Sequence, residues 1–385
     1  MTVRGWILCA VLACLVKAGS RPPEIPFRKH LIDPGASETL AIADINGDGV
    51  PDFVSGENWY EGPGWKKHRF RELGFVDNFI DDFSDLAIDV NGDGRVDIVS
   101  ALGNLRRMVW FENPGREGAP WARHVFEDGG YGIEFAFLVD LDNDGKRREV
   151  LPMLGWKPEV PVAWYEIRNG DFVRHVAGWK THDHGIGCGD VNGDGRNDIL
   201  TPRGWYEAPA DPRQGGWKWH GEFTLGSVGF LHILDINQDG RNDILTAKAH
   251  DYGILWLEQG AGGQWTRHVI DDSWSQAHAT TLADLNGDGR PDLITGKRYM
   301  AHNGRDPGER EPLGVYWYEY RKAANGTSIE WIRHLIDYSS RAGGGIEIPV
   351  VDLDGDGDLD ILTAGKSGLF LFENLSPSAK EKKRK

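Results

Sequence analysis

Cysteine is almost absent. Cys9, Cys14 and Cys188 are the whole complement of this 385-residue chain. The first two fall in an apolar N-terminal segment, so its removal leaves Cys188 alone and excludes an intrachain disulfide; stability has to come from packing and bound metal. Long apolar runs are equally scarce. The single run, Trp6 to Val16, is too short for a spanning helix. With Arg4 before it, it reads as a secretory signal over 1–18, cut after Val16-Lys17-Ala18. Val11-Leu12-Ala13-Cys14 offers a second reading, a lipoprotein signal ending at residue 13. Either way the protein is expected to be exported: periplasmic, extracellular or anchored at a surface as a lipoprotein. No Gly-x-Ser-x-Gly, His-Glu-x-x-His, phosphate-binding loop or dinucleotide fingerprint occurs, which leaves common hydrolase, zincin and nucleotide chemistries without support. Positive charge is in deficit: the formal net charge is −16, which argues against nucleic acid as a partner.

What is present is repetition. An acidic pattern, Asp-x-Asn/Asp-x-Asp-Gly-x-x-Asp, recurs seven times. Its oxygen-bearing positions are Asp44, Asn46, Asp48 and Asp52; Asp89, Asn91, Asp93 and Asp97; Asp140, Asp142 and Asp144; Asp190, Asn192, Asp194 and Asp198; Asp235, Asn237, Asp239 and Asp243; Asp284, Asn286, Asp288 and Asp292; and Asp352, Asp354, Asp356 and Asp360. Oxygens at positions 1, 3, 5 and 9 of a tight turn can converge on one hard cation, and Ca2+ is the natural occupant. The alternative is an Asx-rich turn without metal. The third copy departs from the pattern: its ninth residue is Arg148, and Glu149 comes one residue late. Position 12 of the first copy is Ser55 and strand-like runs flank every loop, so these are not EF-hands.

The copies start 45 to 68 residues apart (Asp44 to Asp89, Asp284 to Asp352), the spacing of four-stranded propeller blades. Each unit has an apolar run entering the loop, a second leaving it (Asp97-Ile-Val-Ser), a third with an aromatic pair and Glu (Trp110-Phe-Glu112), and a fourth ending in aromatic-x-x-His (Trp121 to His124). A fourth element, Phe27-Arg-Lys-His30, precedes the first loop, and none follows the last. The expected fold is therefore all-β: a seven-bladed β-propeller of four-stranded blades over 19–375, closed by the N-terminal strand Ile25 to Ile32 in the last blade. A disordered basic tail, 376–385, follows.

These loops resemble those of the FG-GAP/VCBS repeat family, which includes the integrin alpha-chain head. The resemblance covers nearly the whole mature chain and implies a propeller and calcium. A narrower one rests on His182-Asp-His184-Gly-Ile-Gly-Cys-Gly-Asp190 and its continuation through Arg203 to Glu207. This stretch is similar to the propeller domain of the aldos-2-ulose dehydratase family and implies carbohydrate-lyase chemistry. The further β-domains of that family are missing here.

Residues required once per blade are scaffold. That removes His30, His68, His124, His175, His220, His268 and His334, and the recurring tryptophans. Non-repeating polar residues gather before first strands and after second strands, on the face opposite the acidic loops, as does the longest insertion, Arg298 to Gly314. Glu134, His184 and His278 each lie six residues before the first Asp of a loop. Two functions follow from that face. One is a carbon–oxygen lyase on a keto-sugar: His184 or His182 as base, His278 as acid, a second divalent metal at the channel mouth held by His and Glu134, and Lys297 or Arg298 stabilising an enolate. Trp156, Lys157, Trp179, Arg203, Lys248, His250 and Trp274 would bind the sugar. The other is a noncatalytic adhesion or lectin-like module presenting this face to glycan or protein. Oligomeric state is not readable from the sequence.

Overall fold

A computed structural model of the chain describes residues 21–376, apart from positions 77, 117, 156–158, 181–182, 325 and 327. The signal segment, nearly all of the basic tail, and Trp156, Lys157 and His182 therefore lie outside the described residues. Regular structure among the described residues is all strand apart from one 3-10 turn, Pro212–Gln214. No helix is long and apolar enough to cross a membrane among them.

The repeat folds as its alternation requires. In the first unit Ala41–Ala43 enters the acidic loop, Asp52–Ser55 returns, and Asn58–Glu61 and Lys66–Arg69 complete an antiparallel sheet. Burial falls outward: every residue of Asp52–Ser55 is buried, whereas Lys66–Arg69 is mostly exposed. The same order recurs in the sheets that begin with Ser84–Ile88, Ile133–Val139 and Ala279–Ala283. A further sheet joins both ends of the chain. Phe27–Asp33 pairs antiparallel with Gly368–Asn374, Phe27 opposite Asn374, followed by Asp360–Gly365 and Val350–Val351.

The remaining eight strands, between Ile186 and Ser275, form one sheet. Ile186–Gly189 and Phe230–Leu234 run parallel and hydrogen-bond, Ile186 opposite Phe230 and Gly187 opposite Leu231. Bare backbone makes this approach possible: a Cβ on Gly187 would sit 2.1 Å from the Leu231 carbonyl oxygen, and one on Gly189 2.8 Å from the Ile233 Cβ. The expectation of seven separate four-stranded blades is corrected accordingly. Five four-stranded sheets stand alone, and eight strands are fused into one.

The apolar core lies between successive four-strand units. Phe53, Tyr60, Leu362 and Leu371 share a cluster between the first unit and the last. Val54, Trp59, Ile98 and Phe111 join the first to the second, and Leu200, Trp205, Ile244 and Leu257 do the same within the fused sheet. On the outer strands Trp stacks on His, and that His meets the third-strand Glu. Trp59 and His68 are 4.1 Å apart and the His68 Nε2 lies 2.8 Å from Glu61; Trp256, His268 and Glu258 repeat the arrangement. The Glu also accepts from the loop: the Asn237 amide donates to Glu258 and that of Asn286 to Glu319, both at 3.0 Å. The repeat histidines are thus scaffold, yet unequally buried: the side chain of His334 is 0% exposed and that of His268 39%.

Candidate functional site

The acidic loops are built by their own carboxylates. In the first, Asp44 accepts the amides of Gly47, Asp48 and Gly49, which folds positions 1, 3 and 5 together. Gly47 and Gly49 take φ of 77° and 86°, a region costly for other residues. The ninth residue, Asp52, is fully buried, and its two oxygens accept the amides of Ile45 and Gly62 at 2.9 and 2.8 Å. Asp97, Asp198, Asp243 and Asp360 do the same, and Asp292 accepts from Leu285. Burial pushes the carboxyls of Asp198 and Asp292 up to about 7 and those of Asp243 and Asp360 to about 6. In the irregular third loop Glu149 takes this role, accepting from Leu141 at 2.8 Å with its side chain buried. The late acid therefore replaces the missing ninth Asp.

The loops differ in what faces the fifth position. Arg95, Arg196, Arg241 and Arg290 pair with Asp93, Asp194, Asp239 and Asp288, and Arg213 pairs with Asp142. The last loop has no arginine there. Asp352, Asp354 and Asp356 bring carboxylate oxygens within 4.8 Å of one another, as do Asp140, Asp142 and Asp144.

At the opposite ends of the inner strands the non-repeating residues converge. Glu134 on Ile133–Val139 sits between two imidazoles: His184 Nε2 lies 2.7 Å from Glu134 Oε2, and His278 Nε2 lies 3.1 Å from Oε1. Arg298 donates from Nη1 to Glu134 Oε1 at 2.6 Å and from Nε to Glu38 at 3.1 Å. Lys366 Nζ stands 3.4 Å from the other Glu38 oxygen. His250, just beyond Asp243–Ala247, completes a group: one ligand atom each from Glu134, His184, His250 and His278 lies within 4.8 Å of all the others. The four come from four different four-strand units, so only the assembled fold makes the group.

The electrostatics separate these residues. Burial pushes the Glu134 carboxyl up, but His184, His278 and Arg298 hold it well below the usual carboxylate range. Burial alone would depress His184, yet Glu134 beside it raises its pKa, and its Nδ1–H donates to the Val228 carbonyl at 2.7 Å. Burial keeps His250 and His278 neutral, at about 2 and about 3, with Arg298 adding to the depression of both. The Nδ1 atoms of His250 and His278 are buried without a hydrogen bond. Neutral imidazoles beside a carboxylate, one ring oriented by a backbone carbonyl, form the donor set that zinc-class ions take, and orphaned buried nitrogens are costly unless something fills them. The residues fit a divalent transition metal.

Other expected ligand-binding residues are placed differently. Trp274 is buried, donates from Nε1 to the Tyr318 hydroxyl at 2.8 Å and packs on Tyr316, so it offers no face to a sugar. Lys297 is 1% exposed and donates to Ser275 Oγ at 2.8 Å, which makes it a tether rather than an enolate partner. Lys248 donates to the Leu225 carbonyl, and Arg203 pairs with Asp183 at 2.7 Å. Trp179 is 56% exposed. His250 belongs with the metal-type donors, not with sugar contacts. His302 and Asp306, in the long insertion, lie beside His250 and escape a sequence reading. The only signal for them is the insertion's length and a histidine outside the blade pattern.

Residues 89–147 and 235–295 match the model of the FG-GAP-like repeat. The chain carries FG-GAP-like repeats in a β-propeller arrangement. No curated protein matches its sequence. Among solved structures, virginiamycin B lyase from Staphylococcus aureus is 10% identical with a TM-score of 0.53, over 91% of this chain and 100% of that one. BBS1N, crystallised in complex with ARL6DN, is 11% identical with a TM-score of 0.51, over 91% and 97%. The V. cholerae biofilm matrix protein Bap1 is 18% identical with a TM-score of 0.35; the match covers 69% of this chain and spans 40% of Bap1. At such identities the likeness to the first two is one of fold.

Proposed function

We propose that this is an exported, calcium-binding, seven-bladed propeller whose inner-strand ends, opposite the acidic loops, carry a metal-assisted acid–base site for a keto-sugar. The seven-blade reading counts the fused sheet as two blades joined at their inner strands. The pairing of Phe27–Asp33 with Gly368–Asn374, and the core shared by the first and last units, support a closed ring. Calcium would neutralise carboxylates that otherwise crowd each loop.

One observation carries the enzymatic reading: Glu134, His184, His250 and His278 converge from four units on one point. Structural packing does not need such a cluster. A divalent ion there would polarise a carbonyl oxygen and acidify the neighbouring C–H. The chain's own groups would then handle the protons. A neutral imidazole, His278, suits removal of the α-proton. His184, kept protonated by Glu134, suits its delivery to the departing hydroxyl, which leaves as water when the C–O bond breaks. This reverses the roles expected from sequence. Similarity to the aldos-2-ulose dehydratase propeller points to the same substrate class.

The exposed Trp179 favours a second reading, a glycan-binding module without turnover. Metal-loaded protein incubated with keto-sugars, followed by absorbance of the conjugated enone, separates the two. Turnover that His184→Ala and His278→Ala abolish, with the thermal melt retained, supports the lyase. Sugar binding by calorimetry without product in any metal form supports the module and refutes the lyase.

A further inference from the structure

The long insertion after Arg298 brings two more donors to His250. His302 Nδ1 lies 2.7 Å from Asp306 Oδ2, and His250 Nδ1 lies 3.1 Å from the same oxygen. Ligand atoms of all three lie within 4.8 Å of one another, and the two imidazole rings are 4.4 Å apart. The His250 Nδ1, although this close to Asp306, makes no hydrogen bond and is buried. Two imidazoles and one carboxylate are a common three-ligand set for a divalent ion that keeps an open position. At bond lengths of about 2.0–2.1 Å, tetrahedral ligands stand roughly 3.3 Å apart. The observed 2.7 and 3.1 Å are close to that, so a small opening of the loop admits an ion.

The loop is held for this purpose. Glu309, 1% exposed, accepts the backbone amides of His302 and Asp306, and Arg305 donates from Nε to the His302 carbonyl at 2.9 Å. Lys366 ties the Met300 carbonyl at 2.7 Å, linking the loop to the Glu38–Arg298 pair. A cavity of about 200 Å³ is lined by His302, Arg298 and Glu134, so one member of each donor group borders the same space.

We propose that His250, His302 and Asp306 form a second site for a divalent transition metal, next to the Glu134 group and sharing the cavity with it. An oxygen-rich anionic or carbonyl ligand in that cavity would meet both centres. This deepens the metal reading of the Glu134 site but rests on separate ligands.

The test uses zinc itself. Full-length protein with its acidic loops filled by excess Ca2+ is stripped of transition metal and titrated with Zn2+, and bound zinc is read by elemental analysis. Asp306→Asn, Asp306→Ala and His302→Ala should each bind about one zinc fewer than the parent while the melt is unchanged; Glu134→Gln should lose a different one. Loss in the Asp306 and His302 variants with Glu134→Gln unaffected leaves the second site standing and refutes the first. Zinc binding by folded Asp306→Asn and His302→Ala equal in stoichiometry and affinity to the parent overturns this inference, whatever Glu134→Gln does.

Discussion

At the residue scale the inner strands hold charge that elsewhere would be exposed. Glu347 accepts from the Thr39 and Ser84 hydroxyls at 2.8 and 2.9 Å. Part of its surface stays uncovered, but the ring of protein around it pushes its carboxyl from 4.5 up to about 8. A carboxyl whose folded pKa is raised supports the fold fully below the unfolded value and loses that support as pH rises through the folded one. Between pH 5 and 9, in calcium, the melting temperature of the parent should therefore fall more steeply than that of Glu347→Gln. Parallel curves would show that Glu347 ionises in the folded protein as it does in the chain. Much of the candidate site was legible at this scale: Glu134, His184 and His278 share one position relative to the loops and are not part of the blade pattern. Trp274 was misread because its burial depends on Tyr316 and Tyr318, which are 42 and 44 residues away in sequence. His302 and Asp306 lie in an insertion with no periodicity to place them.

At the element scale the strands follow the repeat closely, since alternation and the Asp turns specify each hairpin locally. The fused sheet does not, because its cause is a lack of side chain: two glycines let neighbouring inner strands come to ladder distance. Gly187→Ala would place a methyl against the Leu231 carbonyl. It should destabilise the protein by about 1–3 kcal/mol in urea titration, the usual cost of overpacking. The same change at Gly193, whose Cβ would meet nothing within 4 Å but whose φ is +78°, costs through backbone strain instead. An unperturbed midpoint for Gly187→Ala would mean that the parallel pairing contributes nothing.

At the scale of the whole molecule, two faces have different chemistry. One bears acidic turns suited to a hard cation, and the other bears imidazoles. If calcium fills the turns, a chelator should lower the melting temperature substantially, with Ca2+ but not Na+ restoring it. Asp354→Ala, in the loop without an arginine partner, should lower calcium stoichiometry more than Asp142→Ala, whose carboxylate Arg213 already neutralises. An unchanged melt in chelator, with calcium shown absent, refutes a structural role for the metal.

The sheet that joins the first strand to the last also fixes how the particle can be held. The Leu375 amide donates to the Pro26 carbonyl at 2.8 Å, so the polypeptide enters and leaves at one point on the outer rim. Anything attached at either end, whether a lipid, a partner domain or an affinity handle on a sensor surface, grips the disc by its edge like a coin between two fingers. Both flat sides then remain open to solution at once, and a large ligand on the imidazole side does not have to compete with the tether.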